Sequence, residues 1–425
     1  MDSRKLALLC SFLVASGCGT MYVYSAYAPQ LATRLHFNAS ESQIIGLCGT
    51  VGVSLLGIAA GIIIDKYGTT TPIVLGGVFL MLGYSLITLC YIKSIESVLL
   101  CALALMAAGF GSGMSFVASI KVCALNYPEN RGTASSIPLA AFGLSAFLFS
   151  TIAGIFFPGN TQGFLILLTV LTSSLSLVLV PFVRVIPAVS HAEDEALLDD
   201  GCSSSSCESV DIYGVSLFKS IDFWKHFLII GCIAGCGQMY IYGCGYVIRA
   251  LVGPDVETSG VQSFHVAMIS LLSFCGRLLS GSISDVLTRY QYSRLWMIFI
   301  SLALGLVGSF LATVVTEISF LWMVSLSFGL SYGFCYGVYP TIIAEMFGMT
   351  YFSQNWGYSG SSAVFSAYFF TTTFGKVFDS HSKGDVCYEG VNCYKSAFNM
   401  AFYVFAVFVV MILYMIHNNY QKFKQ

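Results

Sequence analysis

The sequence predicts an all-α membrane protein with twelve transmembrane helices in two pseudo-symmetric six-helix bundles. The first observation is composition: of 425 residues only 9% are charged, against about 25% in soluble domains, and the mean hydropathy is +0.80. The second is segmentation, because a membrane-spanning helix needs about 20 apolar residues and the chain contains twelve such segments. The third is an internal repeat that divides these segments into two sets of six.

The first six spans predict an N-terminal bundle over residues 1–186, and the last six predict a C-terminal bundle over 225–425. The acidic, serine-rich stretch between them, residues 187–224, cannot bury a core, so we expect a flexible cytoplasmic linker there. The spans lie at about 6–28, 43–64, 72–92, 97–120, 135–157, 163–186, 226–250, 262–283, 295–316, 319–345, 354–378 and 396–417.

The repeat has an offset of about 220 residues. Residues 17–24 (GCGTMYVY) return as residues 235–242 (GCGQMYIY), and Gly61 and Asp65 return as Gly281 and Asp285. Two copies of one membrane unit are typical of secondary transporters, in which the substrate path lies between the copies. The repeat therefore predicts a path along the boundary between the two halves.

Basic residues predict the orientation. With the N-terminus in the cytoplasm, thirteen Lys and Arg lie at cytoplasmic ends and loops and six lie on the opposite side. Both termini are therefore expected in the cytoplasm, and the glycosylation sequon at Asn38 is expected on the other side. Cys387 and Cys393 lie six residues apart in a polar loop on that side. A disulfide between them depends on an oxidising lumen, and the sequence leaves it open.

Residues 61–68 (GIIIDKYG) resemble the loop 2–3 signature of the major facilitator superfamily, and residues 276–285 (GRLLSGSISD) are its degenerate counterpart. Helix count, linker position and repeat extend this resemblance over nearly the whole chain. Residues 9–17, 27–31 and 131–145 are also similar to the nodulin-like fungal branch, which includes vacuolar homologues of monocarboxylate transporters.

The sequence departs from animal-type monocarboxylate transporters at two positions. Those proteins carry an Asp one turn before the Arg of the eighth span, where this chain has Ser273 before Arg277. They also carry a Lys in the first span, where this chain has none beyond Lys5. Both differences argue against monocarboxylate–proton symport.

The resemblance implies a gating role for the signature. It places Asp65 against the N-terminus of the eleventh span, near Ser353 and Asn355, where the helix dipole favours an anion. Breaking that contact would change which side of the membrane is open. The alternative is a positively flanked loop that only sets topology, since Thr69 replaces the usual second cation. The gating candidates are Gly61, Asp65, Lys66, Gly68, Gly281 and Asp285.

Polar and aromatic residues follow helical spacing on spans that line the cavity in this superfamily. Twin stripes of this kind would give a cavity with hydroxyl donors and ring faces but little charge. Ordinary packing is the alternative, and we favour it for Tyr27 and Tyr339. The cavity candidates are Thr20 and Tyr24 in the first span, Gln238 and Tyr242 in the seventh, and Tyr332 and Tyr336 in the tenth.

Arg277 is the most informative charge, because an intramembrane cation is costly enough to imply a function. It would either bind an anionic substrate or form an ion pair with Asp285 or Glu345. Every Asp and Glu falls at a predicted helix end or in a loop, which favours facilitated diffusion or exchange over proton symport. His265 is a lone histidine, for which a proton relay is the weaker interpretation.

No enzyme motif, P-loop or zinc-ligand pattern occurs in the sequence, so we predict no enzymatic activity, no cofactor and no metal site. No basic cluster predicts nucleic-acid binding. The expected partners are the lipid bilayer and a small solute, a monocarboxylate or an uncharged polar metabolite. Glu193, Leu197 and Leu198 match an acidic dileucine pattern that a sorting adaptor could read, which favours a vacuolar or endolysosomal membrane over the plasma membrane. The rival interpretation is a non-transporting sensor or scaffold with the same fold.

Overall fold

The computed structural model describes residues 3–37, 39–157, 159–186, 212–253, 259–381, 387 and 389–424, and the regular elements within them are helices. The helices before the linker are Ser3–Cys18 (α1), Tyr24–Arg34 (α2), Ala39–Ser54 (α3), Gly57–Tyr67 (α4), Thr70–Lys93 (α5), Val98–Asn126 (α6), Arg131–Phe156 (α7) and Thr161–Leu179 (α8). Those after it are Val215–Lys219 (α9), Ile221–Val252 (α10), Ser259–Arg289 (α11), Leu295–Val314 (α12), Leu321–Phe347 (α13), Phe352–His381 (α14) and Lys395–Lys424 (α15).

These helices match the predicted two sets of six. α1 and α2 form the first span, α3 and α4 form the second, and α5–α8 and α10–α15 are the others. Ten spans in the described part of the chain are long and apolar enough to cross a membrane by length and composition alone. The first and eleventh predicted spans are not among them. α1 has only 16 residues, and α14 carries buried polar residues such as Gln354 and Asn355 that lower its hydropathy.

The repeated phrase adopts two different conformations. Residues 235–242 lie within the continuous helix α10, whereas Gly19–Val23 forms a 3₁₀ segment between α1 and α2. In a membrane, backbone groups released by such a break need partners from neighbouring helices. Ser112 of α6 donates to the Cys18 carbonyl, and Ser145 of α7 donates to the Ser16 carbonyl at 2.6 Å. The first span can therefore change its helical geometry without leaving these carbonyls unsatisfied.

Two helix pairs pack closely across the boundary between the halves: α4 against α14, and α11 against α7. Both approaches depend on glycine, because a Cβ at Gly61 would collide with the Ser353 backbone and a Cβ at Gly281 would collide with the Gly132 carbonyl. Small residues permit such close helix contact. Since Gly61 and Gly281 are repeat equivalents, the cross-packing is pseudo-symmetric.

The end of the predicted linker is ordered. α9 and the start of α10 at Ile221 both lie inside the range 187–224, and Leu217 of α9 is fully buried. This differs from the expected flexible stretch, because aromatic and aliphatic residues follow the acidic and serine-rich part. Residues 187–211, with the dileucine pattern of Glu193, Leu197 and Leu198, lie outside the described residues, as does Asn38. Cys387 and Cys393 form a disulfide.

Candidate functional site

Asp65, at the end of α4, binds the first turn of α14 across the boundary between the halves. Its Oδ1 accepts a hydrogen bond from the Ser353 N–H at 3.2 Å, and its Oδ2 accepts one from the Gln354 N–H at 2.9 Å. A helix leaves these early N–H groups without an internal partner, and its dipole favours an anion there. The contact that the resemblance implies is therefore present at Ser353. Asn355 has a different partner, since its Nδ2 donates to the Ile212 carbonyl at 2.9 Å.

Lys121 of α6, which is not among the residues predicted from the sequence, completes this contact. Its Nζ lies 2.6 Å from Asp65 Oδ1 and donates to the Thr350 carbonyl at 3.1 Å. The Lys121 and Asp65 side chains are only 10% and 3% exposed, so each compensates the other's buried charge. Lys66 is exposed and lies 5.3 Å from the Tyr67 ring centroid, outside this contact. Gly68 ends α4 with φ of 78°, where glycine is favoured.

Asp285 makes the pseudo-symmetric contact with the N-terminus of α7. Its Oδ1 accepts from the Gly132 N–H at 3.0 Å, and its Oδ2 accepts from the Thr133 N–H and hydroxyl, each at 2.7 Å. Arg294 supplies the buried cation, with Nη1 2.7 Å from Asp285 Oδ1 and Nε 2.9 Å from Glu345 Oε1. Each half thus presents one aspartate to a helix N-terminus of the other half. We call this end of the molecule the gate end.

The cations that pair with Asp65 and Asp285 have only a weak signal in the sequence. Lys121 directly follows the predicted fourth span, and Arg294 directly precedes the ninth. In the sequence, both contribute only to the charge bias that predicts orientation. Their pairing follows from which helix faces which aspartate, and periodicity within single spans does not contain that information.

A polar cluster in the C-terminal half surrounds Arg277 of α11. Its guanidinium carbon lies 5.6 Å from the Tyr336 ring centroid, within cation–π range, and its Nη1 donates to the Leu139 carbonyl of α7. The Tyr336 and Tyr332 ring centroids are 4.7 Å apart, and the Tyr332 hydroxyl accepts from Gln238 Nε2 at 3.5 Å. Four candidate residues from α10, α11 and α13 therefore lie together.

The two acids that the sequence analysis offers to Arg277 have another cation as their partner. Asp285 and Glu345 both pair with Arg294, which is closer to the gate end of the bundle. Arg277 is only 4% exposed and lies against α7, where a Cβ at Gly143 would be 2.9 Å from Nη1. The Leu139 carbonyl and the Tyr336 ring face both stabilise the guanidinium. The cation therefore lies where the two halves meet.

The N-terminal candidates do not form an equivalent cluster. Thr20 is fully buried and accepts a hydrogen bond from the Tyr84 hydroxyl of α5 at 2.8 Å. The Tyr24 hydroxyl donates to the Ser42 carbonyl at 2.9 Å. These hydrogen bonds join the first span to its neighbours, and Thr20 lies within the 3₁₀ segment Gly19–Val23 rather than in a regular α-helix. In the other half, Tyr242 is 53% exposed and lies one turn beyond Gln238.

His265 lies in the interior of the C-terminal half, at 3% exposure. Its Nδ1 is 2.9 Å from the Ser325 hydroxyl, which lies 2.6 Å from the Tyr240 hydroxyl. This chain links α11, α13 and α10 and provides the polar partner that a buried histidine requires. Among the residues that the structure describes, no group of three or more His, Cys, Asp or Glu could hold a metal ion.

The fold, the cross-bound aspartates and the internal repeat define a class of membrane transport proteins. A model of the Major Facilitator Superfamily matches residues 8–378, and the chain belongs to this superfamily. It is therefore a multi-pass integral membrane protein of a transporter family.

Individual relatives agree with this class. The chain is 28% identical to the uncharacterized membrane protein YMR155W of Saccharomyces cerevisiae, over 96% of this chain and 94% of that protein. It is 25% identical to the probable transporter MCH1 of Wickerhamomyces anomalus, over 89% and 80% of the two chains. Its fold is similar to that of the proton:xylose symporter XylE bound to 6-bromo-6-deoxy-D-glucose, with a TM-score of 0.65 at 13% identity over 96% of each chain.

Proposed function

We propose that this protein is a secondary transporter that moves a small organic solute by alternating access, through facilitated diffusion or exchange. The observation that carries the proposal is the pair of aspartates at the gate end. Asp65 and Asp285 each bind a helix N-terminus of the opposite half, so both contacts exist only while the halves are closed at that end. Such contacts bias which side of the membrane is open.

The strength of these contacts suits a reversible gate. A hydrogen bond to a charged group contributes about 1.5–3 kcal/mol to stability. The hydrogen bonds of each aspartate therefore stabilise the closed arrangement of the two halves by a few kcal/mol. Differential substrate binding of about 5.5 kcal/mol moves a two-state equilibrium from 1:99 to 99:1. Lys121 and Arg294 belong to the same halves as their aspartates. Each carboxylate therefore keeps its counter-ion when the halves separate, which avoids the cost of an uncompensated buried charge.

We propose that the solute is a small carboxylate. Arg277 lies where the halves meet, and a guanidinium presents paired donors that match a carboxylate. Tyr336, Tyr332 and Gln238 add ring faces, a hydroxyl and an amide for the rest of the molecule. An uncharged polar metabolite is the alternative that these last three residues would also accept.

Orientation and location remain predictions. The distribution of basic residues favours a cytoplasmic gate end, and the disulfide between Cys387 and Cys393 supports an oxidising compartment on the other side. The dileucine pattern favours a vacuolar or endolysosomal membrane, with a sorting adaptor as partner. Membership of the nodulin-like fungal branch is proposed on the sequence motifs alone.

A substrate screen tests the proposal. Ligands that bind only the folded state raise its thermal midpoint by mass action, so purified protein is screened against carboxylates, sugars, amino acids and nucleosides. We expect a carboxylate to raise the midpoint and to undergo counterflow in proteoliposomes, and we expect Arg277→Gln to abolish both effects. Arg249→Gln, an exposed arginine of α10, is the matched control and should retain them.

Three results would contradict parts of this proposal. A carboxylate response that survives in Arg277→Gln would remove Arg277 from the site. A response confined to uncharged solutes would replace the proposed substrate class. A folded protein that binds a ligand but shows no counterflow of it would favour the sensor interpretation over transport.

A further inference from the structure

The ordered end of the linker, residues 212–219, packs against the turn between α13 and α14, and we call it the linker strap. The Ile212 N–H donates to the Phe347 carbonyl at 3.2 Å, and Asn355 donates to the Ile212 carbonyl at 2.9 Å. The Tyr213 ring stacks on Tyr351 with centroids 3.7 Å apart and planes 20° apart. The strap is therefore bound by backbone, amide and aromatic contacts at one place.

The other end of the strap is also held. Leu217 is fully buried, and the Phe218 ring centroid lies 5.0 Å from that of Tyr358 in an edge-on contact. Tyr351 directly precedes α14, and with Asn355 and Tyr358 of that helix it has helical spacing along one side of its start. The strap runs along that side.

The opposite side of the same turn forms the gate. Thr350 accepts from Lys121, while Ser353 and Gln354 donate to Asp65. The N-terminus of α14 thus lies between the linker strap and the N-terminal half. The N–H groups of Ser353 and Gln354 can meet the two carboxylate oxygens only while this turn keeps its position.

We propose that the linker strap is a conformational latch that stabilises the closed gate by positioning the first turn of α14. Residues 187–211 connect the strap to the N-terminal half in sequence. A change in the linker would therefore reach the Asp65 contact through the strap. The proposal rests on the gating role of Asp65 and extends it to the linker. Its prediction is that weakening the strap opens the gate end even though Asp65 and Lys121 are intact.

Ser353→Cys provides a reporter of gate opening. Ser353 is fully buried at the gate, and its hydroxyl has no hydrogen-bond partner, so a thiol fits with little loss. Full-length protein carrying Ser353→Cys, with Cys202→Ser and Cys207→Ser in the linker, is reconstituted in nanodiscs. The rate of labelling by a charged maleimide then measures how often the gate opens, without any need for a transport substrate.

Removing the Tyr213 ring should speed this labelling. Tyr213 is 45% exposed, so Tyr213→Ala should fold. Loss of one aromatic pair is expected to raise the labelling rate about 2- to 10-fold. Tyr213→Phe keeps the stack and should label at the parent rate. Tyr290→Ala, which removes a 72% exposed tyrosine elsewhere at the gate end, is the matched control and should also leave the rate unchanged.

Asp65→Asn in the same background separates the latch from the gate. Faster labelling in both Asp65→Asn and Tyr213→Ala supports the latch. Faster labelling in Asp65→Asn with an unchanged rate in Tyr213→Ala overturns the latch and leaves the gate standing. An unchanged rate in both overturns the latch together with the gate. The transport proposal is tested separately, by the counterflow assay.

Discussion

At the residue scale, the buried aspartates Asp65 and Asp285 are each stabilised by groups from several helices, and not by one side chain alone. Asp65 was identifiable because it recurs as Asp285 at the end of the repeated motif. Its cation was not, because Lys121 lies on another helix and 56 residues away in sequence. The carboxylate has three partners, two N–H groups and one ammonium, and only the fold brings them to one point.

This pairing predicts a non-additive mutant cycle. Lys121→Met should destabilise the protein by roughly 3–5 kcal/mol, because it leaves a buried carboxylate without its cation. The double variant Lys121→Met with Asp65→Asn should recover much of that loss, since an amide can still accept from one N–H. Thermal unfolding in detergent measures the four members of the cycle, and exposed Lys66→Met serves as the control. Additive losses in the double variant would mean that Lys121 and Asp65 do not stabilise one another.

At the element scale, close helix contact at the gate depends on positions without a Cβ. α4 meets α14 at Gly61, and α11 meets α7 at Gly281. Both glycines belong to the repeated motif, and the 220-residue offset identifies them as equivalent positions. The break in the first span could not be expected in the same way. Residues 17–24 and 235–242 are nearly identical, and the serines that bind the carbonyls beside the break, Ser112 and Ser145, lie on neighbouring helices.

Alanine at these glycines should open the gate selectively. Gly281→Ala would push α11 away from the Gly132 carbonyl, so we expect the closed arrangement to lose population and counterflow to fall at least about tenfold. Gly57→Ala is the matched control, because a Cβ there meets nothing within 4 Å. Spin labels placed on α7 and α11 at the gate end report the distance between these two helices. Unchanged distances in Gly281→Ala would show that α11 and α7 tolerate the extra methyl group.

At the scale of the whole molecule, the structure combines a pseudo-symmetric gate with an asymmetric interior. The sequence predicted twelve spans, two halves and the linker position, because apolar length and repetition are properties of the chain itself. The cavity candidates are arranged differently in the two halves. Gln238, Tyr332, Tyr336 and Arg277 lie in one cluster, while Thr20 and Tyr24 form hydrogen bonds to Tyr84 and Ser42 of neighbouring helices. A solute between the halves would therefore meet its polar contacts mainly on the C-terminal side.

If the halves move as rigid bodies, fastening the gate end should stop transport. Arg289 Nη2 donates to Asn130 Oδ1 at 2.5 Å across the boundary, and both lie at the accessible gate end. Cysteines at these two positions, joined by a reducible bifunctional thiosulfonate, should abolish counterflow, and reductant should restore it. The same reagent across Asp222 and Lys225, which pair within α10, should have little effect. Because both gates must open together in a rocking movement, one cross-link at Asn130 and Arg289 is enough to hold Asp65 and Asp285 in place. Full counterflow with the link intact would require a path that opens without separation of α7 and α11, and rigid-body alternating access would then be wrong for this protein.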